Sequence, residues 1–331
     1  MRSRRSVLQV VVLLTTALAL PALAGSALNL ELEPGLSLLP ALTVDSLALF
    51  PVVREKAAPK GTYLTLSEGL KEKLVKVSEL KGGSEVNQVQ VKNASDKSLL
   101  LLGGELILGG QQDRVISTDT ILEPRTSRAV AVFCVEHGRW QGQGAFTHTG
   151  GFAEGKLRRV AKFDKEQGQV WNQVATKTGA LKAGSATGTY RTLATGAEGK
   201  KAIERFAPLK QSLLALPEAG ELVGVVAAVN GVVRSVDIFS SAELFAAYRD
   251  GLLEAAFVDA ADTTAVAGKA APKASEVKDF IQANEQAKAE DLARTPTSHT
   301  VQKKTGASVN STLSTPASAE PIYRSYQNLN Y

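Results

Sequence analysis

The chain of 331 residues is poor in the residues that staple, stack or coordinate. It has one cysteine, Cys134, so no intramolecular disulfide can form. Its three histidines, His137, His148 and His299, fit no metal-ligand spacing, so neither a metal nor another cofactor is expected. Aromatic residues make up 5%, too few for a base-stacking platform. There is no G-x-S-x-G frame for an activated serine. Beyond residues 1–24 no apolar run approaches the roughly 20 residues that span a bilayer as a helix, so the remainder is read without a transmembrane span. No fixed-period repeat is visible, which argues against a solenoid or propeller.

What is present is the composition of a globular protein, 44% hydrophobic and 21% charged. The formal charge is +5, but three of the 38 basic residues lie in 1–24 with no acid beside them. The rest is nearly neutral and has no general positive field for nucleic acid, so none is expected as a partner. Residues 1–24 combine Arg2, Arg4 and Arg5, the apolar stretch Val7–Leu20 and an Ala22-Leu23-Ala24 end. This reads as a signal peptide cleaved after Ala24, with an uncleaved anchor as the other reading, and predicts an exported protein, periplasmic or extracellular. Ser3-Arg4-Arg5-Ser6-Val7-Leu8 also resembles a twin-arginine leader, beside the ordinary secretory one.

The remaining pattern is α+β: an antiparallel sheet core with a long β-hairpin and several helices. Leu47–Val53, interrupted by Pro51, reads as an edge strand. Strands are expected at Leu74–Leu80, Val86–Val91, Leu99–Leu102, Arg114–Leu122 and Ser127–Glu136. Gln141–Gly155 is a glycine-rich loop, and Gly179–Gly199 a second stretch of small residues expected to be mobile. Helices are predicted near Lys165–Lys177, over Ala202–Leu216, after the cap Ser241 and over Ser275–Leu292. Leu222–Val229 and Val232–Phe239 flank Asn230-Gly231, which predicts a type I′ hairpin. Short strands are expected near His299–Lys304 and Ile322–Tyr326. The proposed division is a signal peptide (1–24), an N-terminal extension (25–45), a core domain (46–255) and a helical, Ser/Thr-rich accessory region (256–331).

Two segments could carry chemistry. In the first, glycine pairs bracket Glu105, and Gln112, Asp113 and Arg114 follow. Such glycines let backbone approach a ligand or bend a strand, with paired surface charges as the plain structural alternative. Alternation puts Glu105 on the face of Ile107, where apolar neighbours raise a carboxyl pKa. The second is Glu136-His137-Gly138-Arg139-Trp140 at the end of the strand bearing Cys134. Cys134 itself reads as a buried, unreactive thiol. Gly150–Leu157 has the glycine and lysine spacing of a phosphate loop but places Leu157 where magnesium needs a hydroxyl. Arg158, Arg159 and Lys162 form a small basic cluster, either solvated or able to meet an anion.

Phe50-Pro51-Val52, Tyr63-Leu64-Thr65-Leu66, Gly103-Gly104-Glu105, Gly109–Arg114, Val132–Trp140 and the hairpin Val225–Phe239 together resemble a bacterial family of unknown function. The family is named for its association with ADP-ribosylglycohydrolase and rhodanese-phosphatase proteins. The resemblance covers Ser46–Trp140 and Val170–Leu253, implies a link to that chemistry and assigns no catalytic residue. The expected function is therefore an extracytoplasmic ligand-binding or scaffold domain, for an unknown small ligand or protein partner, using Glu105, Gln112, Asp113, Arg114, Glu136, His137 and Arg139. The alternatives are a hydrolase of a phosphorylated or ADP-ribosyl substrate and a structural envelope protein. In the hydrolase, Glu105 or Glu136 would be the base and Arg114 or Arg139 the anion clamp.

Overall fold

A computed structural model describes residues 29–58, 61, 63–80, 87–140, 146–216, 220–269, 271–316, 318 and 320–331, with backbone alone at 148–150. The predicted signal peptide and its cleavage site lie outside the described residues, as do 141–145 of the glycine-rich loop. Among the described residues no helix is long and apolar enough to cross a membrane.

Three short strands, β1 (Leu30–Glu33), β2 (Leu36–Leu38) and β3 (Leu42–Val44), lead into β4 (Leu47–Arg54). β4 is apolar at almost every position because both its faces are covered. Leu47 and Leu49 join one core, while Ala48, Phe50 and Val52 join another. Contrary to the edge reading, β4 is an interior strand. Pro51 is tolerated because it lies between the ends of β2 and β3. Its carbonyl accepts from Leu39 N at 2.9 Å on that side, so its missing N–H faces the same gap and removes no ladder bond.

The next stretch alternates strand and turn: β5 (Tyr63–Thr65), helix α1 (Leu66–Lys71), β6 (Val75–Glu79), β7 (Gln88–Asn93), β8 (Ser98–Leu101) and β9 (Glu105–Leu108). The single strand expected over 114–122 is two, β10 (Arg114–Ile116) and β11 (Thr120–Leu122), which enter different sheets. The chain bends at Ser117–Asp119, where the fully buried Asp119 accepts from Gly103 N–H. β12 (Ser127–Cys134) follows as expected, and β13 (Thr147–Phe152) forms inside the stretch read as loop.

Helix α2 (Gly155–Arg159) runs directly into a π-turn (Val160–Asp164), then α3 (Gln167–Ala180). The small-residue stretch after it carries α4 (Arg191–Ala194), with Tyr190 and Leu193 buried. In place of one helix over 202–216 there are two, α5 (Ala197–Glu204) and α6 (Ala207–Leu214), with the buried Phe206 at their junction.

The hairpin is as predicted. β14 (Glu221–Val229) and β15 (Val232–Phe239) pair antiparallel around Asn230 and Gly231, whose φ values of 48° and 76° are those a type I′ turn requires. Ser241 Oγ accepts from Leu244 N at 3.3 Å and caps α7 (Ala242–Ala261). Helix α8 (Ala274–Glu285) stops short of the predicted Leu292, because Ala289–Arg294 is the strand β16. β17 (His299–Lys304), β18 (Ser308–Ser314) and β19 (Tyr323–Asn328) complete the chain.

The large sheet has the order β1-β2-β4-β14-β15-β19-β18-β17-β16, with β3 added on β4. The segment read as an N-terminal extension and the one read as an accessory are thus continuous with the hairpin through backbone ladders. α7 covers one face through Leu244, Phe245 and Leu253, and α8 covers the other through Val277 and Ile281. A second sheet, β13-β9-β10-β12-β7-β6, packs α2, the π-turn and α3 on one face. Its other face meets the small sheet β11-β8-β5. This is an α+β architecture, and it brings the turn after β9, the end of β12 and the start of α4 to one place.

Candidate functional site

The turn between β9 and β10 is shaped by glycine. Gly109 and Gly110 have φ of 122° and 55°, and a Cβ on Gly110 would fall 2.2 Å from Phe146. The turn delivers Gln112, Asp113 and Arg114 beside Glu136 and Arg139 from the end of β12. A backbone bridge between Glu136 and Thr189 brings in Thr189 and Arg191.

Asp113 is the hub. Its carboxylate accepts from Gly109 N at 2.8 Å, Thr189 Oγ1 at 2.9 Å, Arg191 Nε at 2.9 Å and Arg139 Nη2 at 3.3 Å, and it also meets Arg191 Nη2. Burial by itself would raise this carboxyl. The hydrogen bonds from Arg191, Gly109 and Thr189 overcome that and hold its pKa below the ordinary value.

Glu136 Oε2 accepts from Arg139 Nε at 2.9 Å and from Asp113 N at 3.2 Å. Arg139 donates further to Gly110 O at 2.8 Å and Gly109 O at 3.3 Å. Gln112 Nε2 donates to Glu136 O at 2.9 Å, and its Oε1 accepts from Arg114 Nη1 at 3.0 Å. Arg114 is buried, and its other nitrogen lies 3.7 Å from Glu79 Oε1.

Five of the seven residues singled out from sequence, Gln112, Asp113, Arg114, Glu136 and Arg139, therefore converge. His137 does not join them: it is exposed, and its ring meets Trp171 edge-on at 4.6 Å. Glu105 lies apart, fully buried at the start of β9, where its Oε2 accepts from Leu102 N at 2.7 Å. Desolvation, with Asp119's charge adding to it, pushes the Glu105 carboxyl up to about 8 against the Leu102 hydrogen bond. This is the direction that strand alternation implies.

Thr189 and Arg191 are missing from the sequence reading because they fall in a stretch with no periodicity. Of the basic cluster Arg158, Arg159 and Lys162, two members meet buried anions, but not in the way the sequence suggests. Arg158 and Lys162 are buried, 2% and 0% exposed, and their anions belong to the protein itself. Arg158 meets Asp237 in two hydrogen bonds, and Lys162 Nζ lies 2.7 Å from Asp119 Oδ2. The i, i+4 spacing of the two cations among apolar neighbours is the signal that could have shown a buried face.

The phosphate-loop spacing also has a structural explanation. Glu154 caps α2, accepting from Lys156 N at 2.7 Å and Leu157 N at 3.1 Å, so a carboxylate already fills the place a phosphate would take. Cys134 is buried opposite Arg114, and burial raises its thiol pKa against that cation. Among the described residues no three His, Cys, Asp or Glu side chains gather as metal ligands.

An α+β protein of three sheets thus carries an arginine–carboxylate network at the end of its six-stranded sheet. The chain matches the ARG and Rhodanese-Phosphatase-superfamily-associated Protein domain over residues 35–326, and it belongs to that family. No curated protein and no solved structure matches it.

Proposed function

We propose that the protein is an exported binding or scaffold domain whose ligand or protein partner docks against Arg139, Arg191 and Trp140. Export rests on the leader pattern of residues 1–24, with cleavage after Ala24 placing the protein in the periplasm or outside the cell. The docking face rests on one observation. The carboxylates of Asp113 and Glu136 are occupied by donors from the same chain, while the cations they hold face outward. Arg191 is 42% and Arg139 27% exposed at the side chain, and Trp140 is 53% exposed. Guanidinium groups held from below by carboxylates, with an exposed tryptophan next to Arg139 in the chain, suit recognition of an anionic or planar group at little ordering cost.

The hydrolase alternative asks Glu105 or Glu136 to take a proton from a substrate-bound water. Glu136 Oε2 already accepts from Arg139 and from Asp113 N, and Glu105 has no exposed surface. Both facts favour binding over turnover.

A thermal-shift panel of phosphate, nucleotides, ADP-ribose, sugars and divalent metals tests the reading. A ligand that binds only the folded chain raises its melting temperature. Stabilisation by an anionic ligand class that Trp140→Ala abolishes supports a docking face. No shift with any ligand, together with a large melting loss in Arg191→Gln, means that the network only holds the fold, as in a structural envelope protein.

A further inference from the structure

Away from the docking face, the interior between the two larger sheets holds an amine and a carboxyl group placed to react with each other. Lys162 Nζ and Asp119 Oδ2 are 2.7 Å apart, and both side chains are fully buried. Lys162 sits on the π-turn, whose widened loop is closed by Lys165 N donating to Val160 O at 2.8 Å. Its stem runs across Gly103, where a Cβ would come within 3.0–3.3 Å of three of its methylenes. Gly103 N–H donates to Asp119 Oδ1 at 2.8 Å.

Two hydroxyls close a ring around the pair. Lys162 Nζ donates to Ser325 Oγ at 2.7 Å. Ser325 Oγ and Ser311 Oγ are 3.2 Å apart, and Ser311 Oγ donates to Asp119 Oδ2 at 2.6 Å.

We propose that Lys162 and Asp119 condense, without any other protein, to an intramolecular isopeptide bond. In the dry interior the neutral amine and acid compete with the ion pair, because separate charges are poorly solvated there. Burial lowers the Lys162 pKa against the pull of Asp119. A proton crosses from Nζ to Oδ2, leaving an amine and a carboxylic acid. The nitrogen lone pair forms the N–Cγ bond, and negative charge develops on Oδ1, which faces the Gly103 N–H. A second proton leaves the nitrogen and passes through the Ser325 and Ser311 hydroxyls to Oδ2. The Cγ–Oδ2 bond breaks, that oxygen departs as water, and the amide keeps the third proton.

The step consumes no oxidant and no co-reactant. Fixed proximity replaces the activation that amide formation in water requires, and exclusion of water protects the product. Glu105 nearby is protonated at neutral pH, so it adds no second negative charge to the site. The bond would tie the bend between β10 and β11 to the π-turn, in a chain whose one cysteine permits no internal disulfide. By shrinking the unfolded ensemble it would stabilise the fold as a disulfide does.

The test is the mass of the folded protein obtained by expressing the full chain, followed by peptide mapping. The expected result is a mass one water below that calculated for the chain, with or without residues 1–24, and a branched peptide joining Asp119 to Lys162 that survives reduction. Asp119→Ala and Lys162→Met should each restore the unbranched peptides. If either variant fails to fold, the wild-type map decides alone. Two results overturn the proposal. One is folded wild-type protein that has lost no water, whether or not residues 1–24 are present. The other is a lost water with Lys162 recovered in a linear peptide, which marks a succinimide at Asp119.

Discussion

Arg158 on α2 and Asp237 on β15 meet at 3.0 and 2.9 Å in a two-pronged ion pair, each side chain 3% exposed. Tyr323 OH donates to the same carboxylate at 2.5 Å, so strand β19 is tied into the contact as well. The pair fastens the helical layer of one sheet to the interior strands of the other. Removing one partner of a buried pair leaves a charge with nothing to solvate it. Arg158→Met should therefore cost about 3–5 kcal/mol, read as a lower urea midpoint at unchanged slope. The double variant Arg158→Met/Asp237→Leu, which removes both charges, should recover much of that loss. A cost below about 1 kcal/mol for the single variant would show that water reaches the pair.

Glu105 sets a pH dependence. Its folded pKa of about 8 lies above the ordinary carboxyl value of 4.5, so the folded state holds this proton after the unfolded state has released it. The group's contribution is therefore fully present below the unfolded pKa and is lost as pH rises toward the folded value, at up to about 1.4 kcal/mol per pH unit. Asp113 acts in the opposite sense. Its lowered pKa gives stability above the ordinary aspartate range that disappears as pH falls through the folded value. Glu105→Gln should flatten the decline of stability between pH 5 and 8. Parallel pH profiles for wild type and variant would show that Glu105 titrates normally.

Glycine substitutions should separate two kinds of position. Gly110→Ala combines a φ of 55° with a contact 2.2 Å from Phe146 and should cost about 1–3 kcal/mol. It should also loosen the turn that delivers Asp113. Gly168→Ala in α3 meets nothing within 4 Å and should stabilise by about 0.4–1 kcal/mol. Thermal unfolding of both against wild type checks the pair of signs.

The hairpin, α7 and β12 are legible in the sequence because their buried residues are mostly apolar, with an Asn-Gly turn and a serine cap marking the ends. Where the interior is polar, that signal fails. β18 carries Asn310 and Ser311 on opposite faces, both fully buried, so a central strand reads as a Ser/Thr-rich tail. Arg158 and Lys162 read as surface for the same reason, since their partners Asp237 and Asp119 are distant in the chain. The break at Asp119 also turns one apparent strand into two. Of the arginine–carboxylate network, Gln112, Asp113, Arg114, Glu136 and Arg139 are marked by glycine turns and strand ends. Thr189 and Arg191 have no local pattern and are recruited only by the Glu136–Thr189 bridge.

The central claim is that the outward-facing arginines and Trp140 form a recognition surface held from beneath. Calorimetric titration of wild type and Trp140→Ala with the anionic ligand that most raises the melting temperature tests it most directly. Trp140 is 53% exposed, so its loss should leave unfolding of the free protein within about 0.5 kcal/mol of wild type. Ligand affinity should fall about tenfold or more, as expected for an aromatic anchor worth at least 1.4 kcal/mol. Equal affinity in the two proteins would place binding elsewhere and contradict the account.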